Sequence, residues 1–438
     1  MRYIPHTQAD TQQMLGTIGA AAIDELFDDI PASLRLSSPP NIPAALDEHA
    51  ILKNLEEISK NNQILTSFLG AGAYEHYVPS IVMELVSRGE FLSAYTPYQP
   101  EASQGYLQTI YEFQSMICAI TGMDAANASM YDGGTALAEA CIMASGVKNR
   151  SKLILSSAVH PHYRKIVETF AEPAGAHAVT VSDEQLFAAI DDQTACVAVQ
   201  YPDFFGRVRS PKKVIEAAHA AGALAVVVSD PVALGVLNPP GDYGADVVVG
   251  EAQSLGVPLG YGGPMVGFFC VRRELIRAIP GRIVGKTHDA DSRRGFVMTL
   301  RTREQDIRRE KATSNICTNQ ALMALVTTVW MSALGKSGFR AVAESCVQKA
   351  HYLAGELLKI PGVSLTFPND PFAFEFAVDL GRDAEHAADR LLDSGYIAGL
   401  PLGRFDQNLR NSLLISVSET KSKQTLDAFA LALAKVCG

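Results

Sequence analysis

The 438-residue sequence has no CxxC pair, no leader of basic-then-apolar order and no low-complexity tract. Its seven cysteines (118, 141, 196, 270, 317, 346 and 437) are scattered. Cys118, Cys141, Cys196 and Cys270 lie in strongly apolar stretches, so reduced buried thiols are expected and a zinc site has no support. Long hydrophobic runs are missing as well. QALMALVTTVWMSALG (320–335) carries polar residues and falls short of a comfortable membrane span. MRYIPHTQADTQQML does not read as a signal peptide, and a cytoplasmic location is the expectation. Positive charge is scarce: 37 Lys and Arg against 47 Asp and Glu leave a net −10, which argues against a general nucleic-acid binder. Residues 272–311 break that trend, with 12 Lys and Arg against 6 Asp and Glu. A solvated, salt-bridged helical face and a surface for an acidic partner or an anionic group both fit that excess.

What is present reads as an ordered α/β enzyme. Residues 1–90 form an N-terminal helical arm, with TQADTQQMLGTIG and AILKNLEEISKNN as helices. FLGAGAYEHYVPS and AYTPYQPEASQGY are rich in Gly, Pro and Tyr and read as ordered loops. GYLQTIYEFQSMICAITG puts Leu107, Ile110, Phe113, Ile117 and Ile120 on one helical stripe, stopped by Gly122. From 152 onward β-branched strands (KLILSS, AHAVTV, TACVAVQYP, LAVVVSD, ADVVVG, MVGFFCV) alternate with helices, the signature of a mostly parallel sheet covered on both faces. Residues 91–320 are therefore the large α/β domain, and 321–438 hold linking helices and a small α+β domain. This is the fold-type I architecture of enzymes that use pyridoxal phosphate (PLP), although fold alone does not specify activity.

Open parallel sheets place ligands beyond the carboxyl ends of their strands. LAVVVSDP ends in Asp230, a residue type that can keep a pyridine nitrogen protonated; a plain turn cap is the simpler reading by type alone. Twenty-three residues on, where such enzymes carry their PLP lysine, stands Gln253. GADVVVGEAQSLGVPLGYGGPMVGFF (244–269) contains no lysine at all, and an amide cannot form the imine. Lys286 lies too far along, in GRIVGKTHDADSRRGF, to reach the same strand end without special geometry.

AYTPYQPEASQG (94–105), ITGMDAANASMYDGGTALAEA (120–140), GEAQSLGVPLGYGGPMVGFF (250–269) and RGFVMTLRTREQDIRREKATSNICTNQAL (294–322) closely resemble the P-protein family of the glycine cleavage system. The likeness is to its N-terminal half, or to the first, α-type chain where the family is split in two, and it spans essentially the whole sequence. It implies a subunit of a glycine dehydrogenase (decarboxylating). In that family glycine is decarboxylated on PLP and the aminomethyl group passes to the lipoyl arm of the H-protein. The second subunit carries the PLP lysine, so PLP is expected there and not covalently on this chain. Two such heterodimers are expected to pair.

The resemblance implies that this chain completes its partner's active site. Tyr95, Thr96, Tyr98 and Gln104, on a proline-stiffened loop, are candidates for one wall. Thr313, Ser314 and Asn315 precede a helix, where hydroxyls and free N–H groups can bind an anion; an N-cap role for Asn315 or Thr318 is the structural alternative. Arg293, Arg294, Arg301 and Arg303 can grip a carboxylate or phosphate, with interface pairing favoured over glycine recognition. Gly133, Gly134, Thr135, His160 and Asp230 outline a relic cofactor pocket. The HxH of His160 and His162 alone is not a metal site. Two other readings stay open: a non-catalytic scaffold or H-protein-docking subunit, and an independent PLP enzyme using Lys286 or a non-covalent cofactor.

Overall fold

Valine-rich runs bounded by Gly, Asp and Pro become the strands of a central seven-stranded sheet in the computed structural model. The structure describes residues 3–92, 95–303, 305–312 and 314–438. The strands are β1 Ala125–Ala126, β2 Lys152–Ser156, β3 His177–Val181, β4 Thr194–Tyr201, β5 Leu224–Ser229, β6 Val247–Glu251 and β7 Gly267–Val271. Their order across the sheet is β1-β7-β6-β5-β4-β2-β3. The β3-β2-β4-β5-β6 pairings are all parallel, and β7 runs antiparallel to both of its neighbours. This is the large, mostly parallel sheet that the alternation of strands and helices predicts.

Alternation along each strand feeds two cores. Ala225 and Val227 face one side, with Leu107, Ile110, Phe113 and Ile117 of the helix Gln104–Thr121. Val226 and Val228 face the other, with Leu137, Ala140 and Cys141 of the helix Gly133–Lys148. Each such fully buried Val, Leu or Phe contributes about 1.5–3 kcal/mol of hydrophobic stabilisation. Gly122 ends its helix in the left-handed region at φ 70°, the turn its sequence position anticipates.

The two long helices anticipated after 320 are both present within Ala321–Leu357, separated by a kink at Gly335 (φ 61°, ψ −177°). A four-stranded antiparallel sheet follows, with helices Ala384–Leu392 and Lys423–Cys437 beside it. Its buried residues Phe376, Leu413 and Ile415 continue the first core. The large sheet and the C-terminal α+β layer accordingly share one compact unit, Leu65–Gly438.

Met1–Ile64 is a separate unit. Its helices Gln8–Ile18 and Glu48–Ser59 are well capped, the first by a Thr7–Asp10 capping box and the second by Asp47. Yet among its described residues only Leu15 is buried, and Ile18, Leu26, Phe27, Leu52, Leu55 and Ile58 are exposed. This unit has helical local order without a core of its own. Among the described residues no helix is long and apolar enough to cross a membrane.

Candidate active site

Strands β2, β5 and β6 and the start of the Gly133–Lys148 helix converge at the carboxyl edge of the sheet. His160, Asp230, Gln253 and the Gly133-Gly134-Thr135 turn all stand there, as their positions in the sequence imply. What fills the space between them was not foreseen. The glycine-rich segment 69–76, read only as an ordered loop, crosses the pocket and is bonded to nearly every wall.

Gln253 is 2% exposed and fully used. Its Oε1 accepts from the Tyr74 N–H at 2.8 Å, and its Nε2 donates to the carbonyls of Tyr74 at 3.0 Å and Val257 at 2.7 Å. The amide thus pairs with the Tyr74 backbone as a second strand would. Ala71 is held the same way: its N–H donates to Glu375 Oε1 at 2.7 Å and its carbonyl lies 2.9 Å from His160 Nε2. Its φ of 58° costs a non-glycine residue about 1–2 kcal/mol, so these bonds hold a strained residue in place. The Tyr74 hydroxyl donates to Glu375 Oε2 at 2.9 Å.

The bonds also fix the His160 tautomer. A carbonyl only accepts, so Nε2 carries the proton, and Nδ1 accepts from the His162 N–H at 3.2 Å. Burial pushes this imidazole down to about 4, which keeps it neutral.

The anion cradle is occupied by carboxylates of the same chain. Asp132 caps the helix in a reciprocal pair with Thr135. Glu251, at the end of β6, accepts from Gly133 N–H at 3.0 Å and from the N–H groups of Gln253 and Val266 at 2.9 Å each. A carboxylate therefore sits where a helix N-terminus would otherwise receive a phosphate. Burial raises Glu251 to about 7, Glu375 to about 7 and Asp230 to about 6, each partly offset by the hydrogen bonds it accepts. A cavity beside Tyr74, Asp230 and Glu375 measures about 20 Å³, room for one water but not for a ligand, whose pockets run to about 300 Å³ or more. PLP does not fit this pocket. Lys286 is exposed on the hairpin Ile283–His288/Arg294–Thr299, opposite Phe296.

A second cluster gathers the loops expected to reach the partner. Tyr95 and Tyr98 are exposed, and with Thr96, Gln99 and Tyr106 they line a cavity of about 750 Å³. Gln104 is not free for a ligand. Its amide accepts from the Phe296 N–H and donates to the carbonyls of Phe296 and Pro100, bracing the loop against the hairpin. Ser314 accepts from the Ile316 N–H at 3.1 Å, Asn315 is exposed, and Thr313 lies outside the described residues. The following helix is capped at Gln320 with no side-chain bond, so neither Asn315 nor Thr318 serves as its cap. Arg301 pairs with Asp306 at 3.0 Å, while Arg293 is exposed and only loosely opposite Asp291 at 3.9 Å.

Arg282 ties the cluster together and was missed in the sequence, where it is one basic residue among many. It is 6% exposed and donates to Thr96, Tyr98, Thr318 and the Cys317 carbonyl. The signal that could have found it is the PGR turn (280–282) immediately ahead of an apolar strand.

The family model of the glycine cleavage system P-protein matches residues 1–433. The chain belongs to that family. A "Probable glycine dehydrogenase (decarboxylating) subunit 1" of Moorella thermoacetica is 48% identical over 440 residues, covering 99% of each chain. The Anoxybacillus flavithermus protein of the same name is 49% identical over 97% of each. A crystal structure of glycine decarboxylase (P-protein) of the glycine cleavage system, in inhibitor-bound form, superposes with a TM-score of 0.89 at 42% identity and complete coverage of both chains. An alanine–glyoxylate aminotransferase from Nostoc shares the fold alone, with a TM-score of 0.59 at 18% identity over 92% of this chain and 98% of that one. The fold-type I architecture expected from the sequence is the one these neighbours share.

Proposed function

We propose that this P-protein chain is the subunit that completes, without anchoring, a PLP site held by a second subunit. The observation that carries the reading is the filled pocket: Gln253, Glu251 and segment 69–76 use the groups that would hold the cofactor. The relatives' name, subunit 1, supports the existence of a partner. So does the N-terminal unit, whose exposed apolar side chains need a surface to cover them.

When bound in the partner, PLP would supply the electron sink for decarboxylation of glycine. This chain's residues would shape the site around it. Tyr95, Thr96 and Tyr98 would wall one side, with Ser314 and Asn315 beside them, and Gln104 would hold the wall rigid. Closing off water there strengthens every polar contact and leaves a defined path for the lipoyl arm of the H-protein.

A borohydride trap tests this directly. The purified chain is incubated with PLP, reduced, and its intact mass read, first alone and then with subunit 2. No adduct on this chain and one adduct on the partner is the expected result. A stoichiometric adduct on this chain, at Lys286 or elsewhere, would overturn it. The scaffold-only reading is separated by Tyr95→Phe in the assembled complex, which that reading expects to leave turnover unchanged.

A further inference from the structure

Arg282 forms no ion pair with any described residue, although it is 6% exposed. A buried cation without a counter-charge is desolvated without compensation. What it does have is a ring of neutral oxygens. Nη1 reaches Thr96 Oγ1 at 3.2 Å and Thr318 Oγ1 at 3.0 Å; Nη2 reaches the Tyr98 hydroxyl at 3.1 Å and the Cys317 carbonyl at 2.9 Å. Its Nε is buried with no partner. Its guanidinium carbon also lies 5.5 Å from the Tyr98 ring, and that of Arg301 lies 5.7 Å from the same ring.

The direction of the hydroxyl protons follows from this. A guanidinium has only donors, so each hydroxyl oxygen accepts and keeps its own proton for another acceptor. None of the three hydroxyls donates to a described group. Thr96 and Thr318 are half-buried, Tyr98 is exposed, and Thr96 and Tyr98 line the 750 Å³ cavity. Two O–H donors polarised by one cation are therefore available at the cavity, and the half-buried Thr318 hydroxyl on the same guanidinium adds a third that no described group uses.

We propose that Thr96, Tyr98 and Thr318 form a subsite for an anionic oxygen group, a carboxylate or phosphate, and that Arg282 is the positioning residue that aims their protons at it. The proposal rests on the reading that these loops complete the partner's site. That site brings two anions of the required chemistry, the substrate's carboxylate and the cofactor's phosphate. Neither has to touch Arg282. The hydroxyls relay its charge, and the anion supplies the compensation that the described residues do not provide.

The test uses the complex with subunit 2 and lipoylated H-protein, and reads the KM for glycine, kcat, the Kd for PLP and inhibition by inorganic phosphate. The variants are Arg282→Met, Arg282→Lys, Thr96→Val, Tyr98→Phe and Thr318→Val, each checked for assembly by sedimentation. Loss of a charge-assisted network predicts that Arg282→Met raises one binding constant about tenfold or more, and that Arg282→Lys recovers part of it. The three hydroxyl variants should raise the same constant by about threefold or more each. A change in KM identifies the carboxylate as the anion, and a change in PLP Kd with weaker phosphate inhibition identifies the phosphate. If the hydroxyl variants shift a constant and both Arg282 variants leave it unchanged per assembled complex, the inference fails while the proposed function stands. If Arg282→Met reduces only the amount of assembled complex, Arg282 is a structural clamp and the inference fails. If no variant moves any constant in intact complex, the placement of these loops in the partner's site fails with it.

Discussion

Replacing Gln253 by lysine restores the residue type that anchors PLP elsewhere in this fold, and the structure says that it will not restore the site. The Gln253 amide is the acceptor for the Tyr74 N–H at 2.8 Å and the donor to two carbonyls. An ammonium can serve the carbonyls but cannot accept. The buried Tyr74 N–H is left unpaired at a cost of about 1–3 kcal/mol. A cation held at 2% exposure adds a desolvation cost of several kcal/mol unless the lysine is neutral. Nor does the exchange open space, since the 69–76 segment remains tied to Glu375 and His160 and the free cavity is about 20 Å³. The expected outcome is a Gln253→Lys chain destabilised by at least about 3 kcal/mol, with no borohydride-trapped PLP adduct at 253. The assay is a chemical denaturation midpoint alongside intact mass after reduction. A stoichiometric adduct at residue 253 with an unchanged midpoint would refute the argument that the segment closes the pocket.

Glu375 has its carboxyl raised to about 7 by burial. A raised carboxyl binds its proton more tightly in the folded state, so its contribution is fully present below about pH 4.3 and is lost as pH rises toward 7. Glu375→Gln should flatten that decline by up to about 1.4 kcal/mol per pH unit, measured by denaturation between pH 4.5 and 7.5. Gly206→Ala should cost roughly 2–5 kcal/mol, because its φ is +84° and a Cβ would sit 2.0 Å from the Glu375 carbonyl oxygen; a midpoint like the parent's would contradict the packing described. Ala71→Gly, by contrast, should be neutral or stabilising by about 1 kcal/mol, as it relieves a left-handed alanine. Removing residues 1–64 should leave the unfolding of Leu65–Gly438 cooperative and abolish assembly with subunit 2, read by sedimentation; assembly without the arm would show that its apolar surface serves another purpose.

Much of this protein was written in local pattern. Valine runs such as LAVVVS and DVVVG bury both faces wherever they lie in a parallel sheet, so strands and their helices could be read one by one. The absent lysine was equally plain, because one residue type at one strand end decides whether an imine can form. Gln253, His160 and Asp230 were placed correctly at the sheet edge for the same reason: a strand end is a local feature. What the sequence could not say is what those groups do. Ala71 meets Glu375 across more than three hundred residues, and Tyr74 meets Gln253 across 179, and nothing in either stretch announces the other. Gln104 reads as a ligand donor because its type permits it, yet its amide is spent on Phe296 of the hairpin and on the Pro100 carbonyl of its own loop. Arg282 is one basic residue among many in the sequence, and only in the folded chain do the loop of Thr96 and Tyr98 and the loop of Cys317 and Thr318 close around it. Hydrogen-bond partnership and burial are properties of the assembled chain, and they decided that the polar groups at this strand edge are bonded to one another and that a buried cation stands behind Thr96, Tyr98 and Thr318.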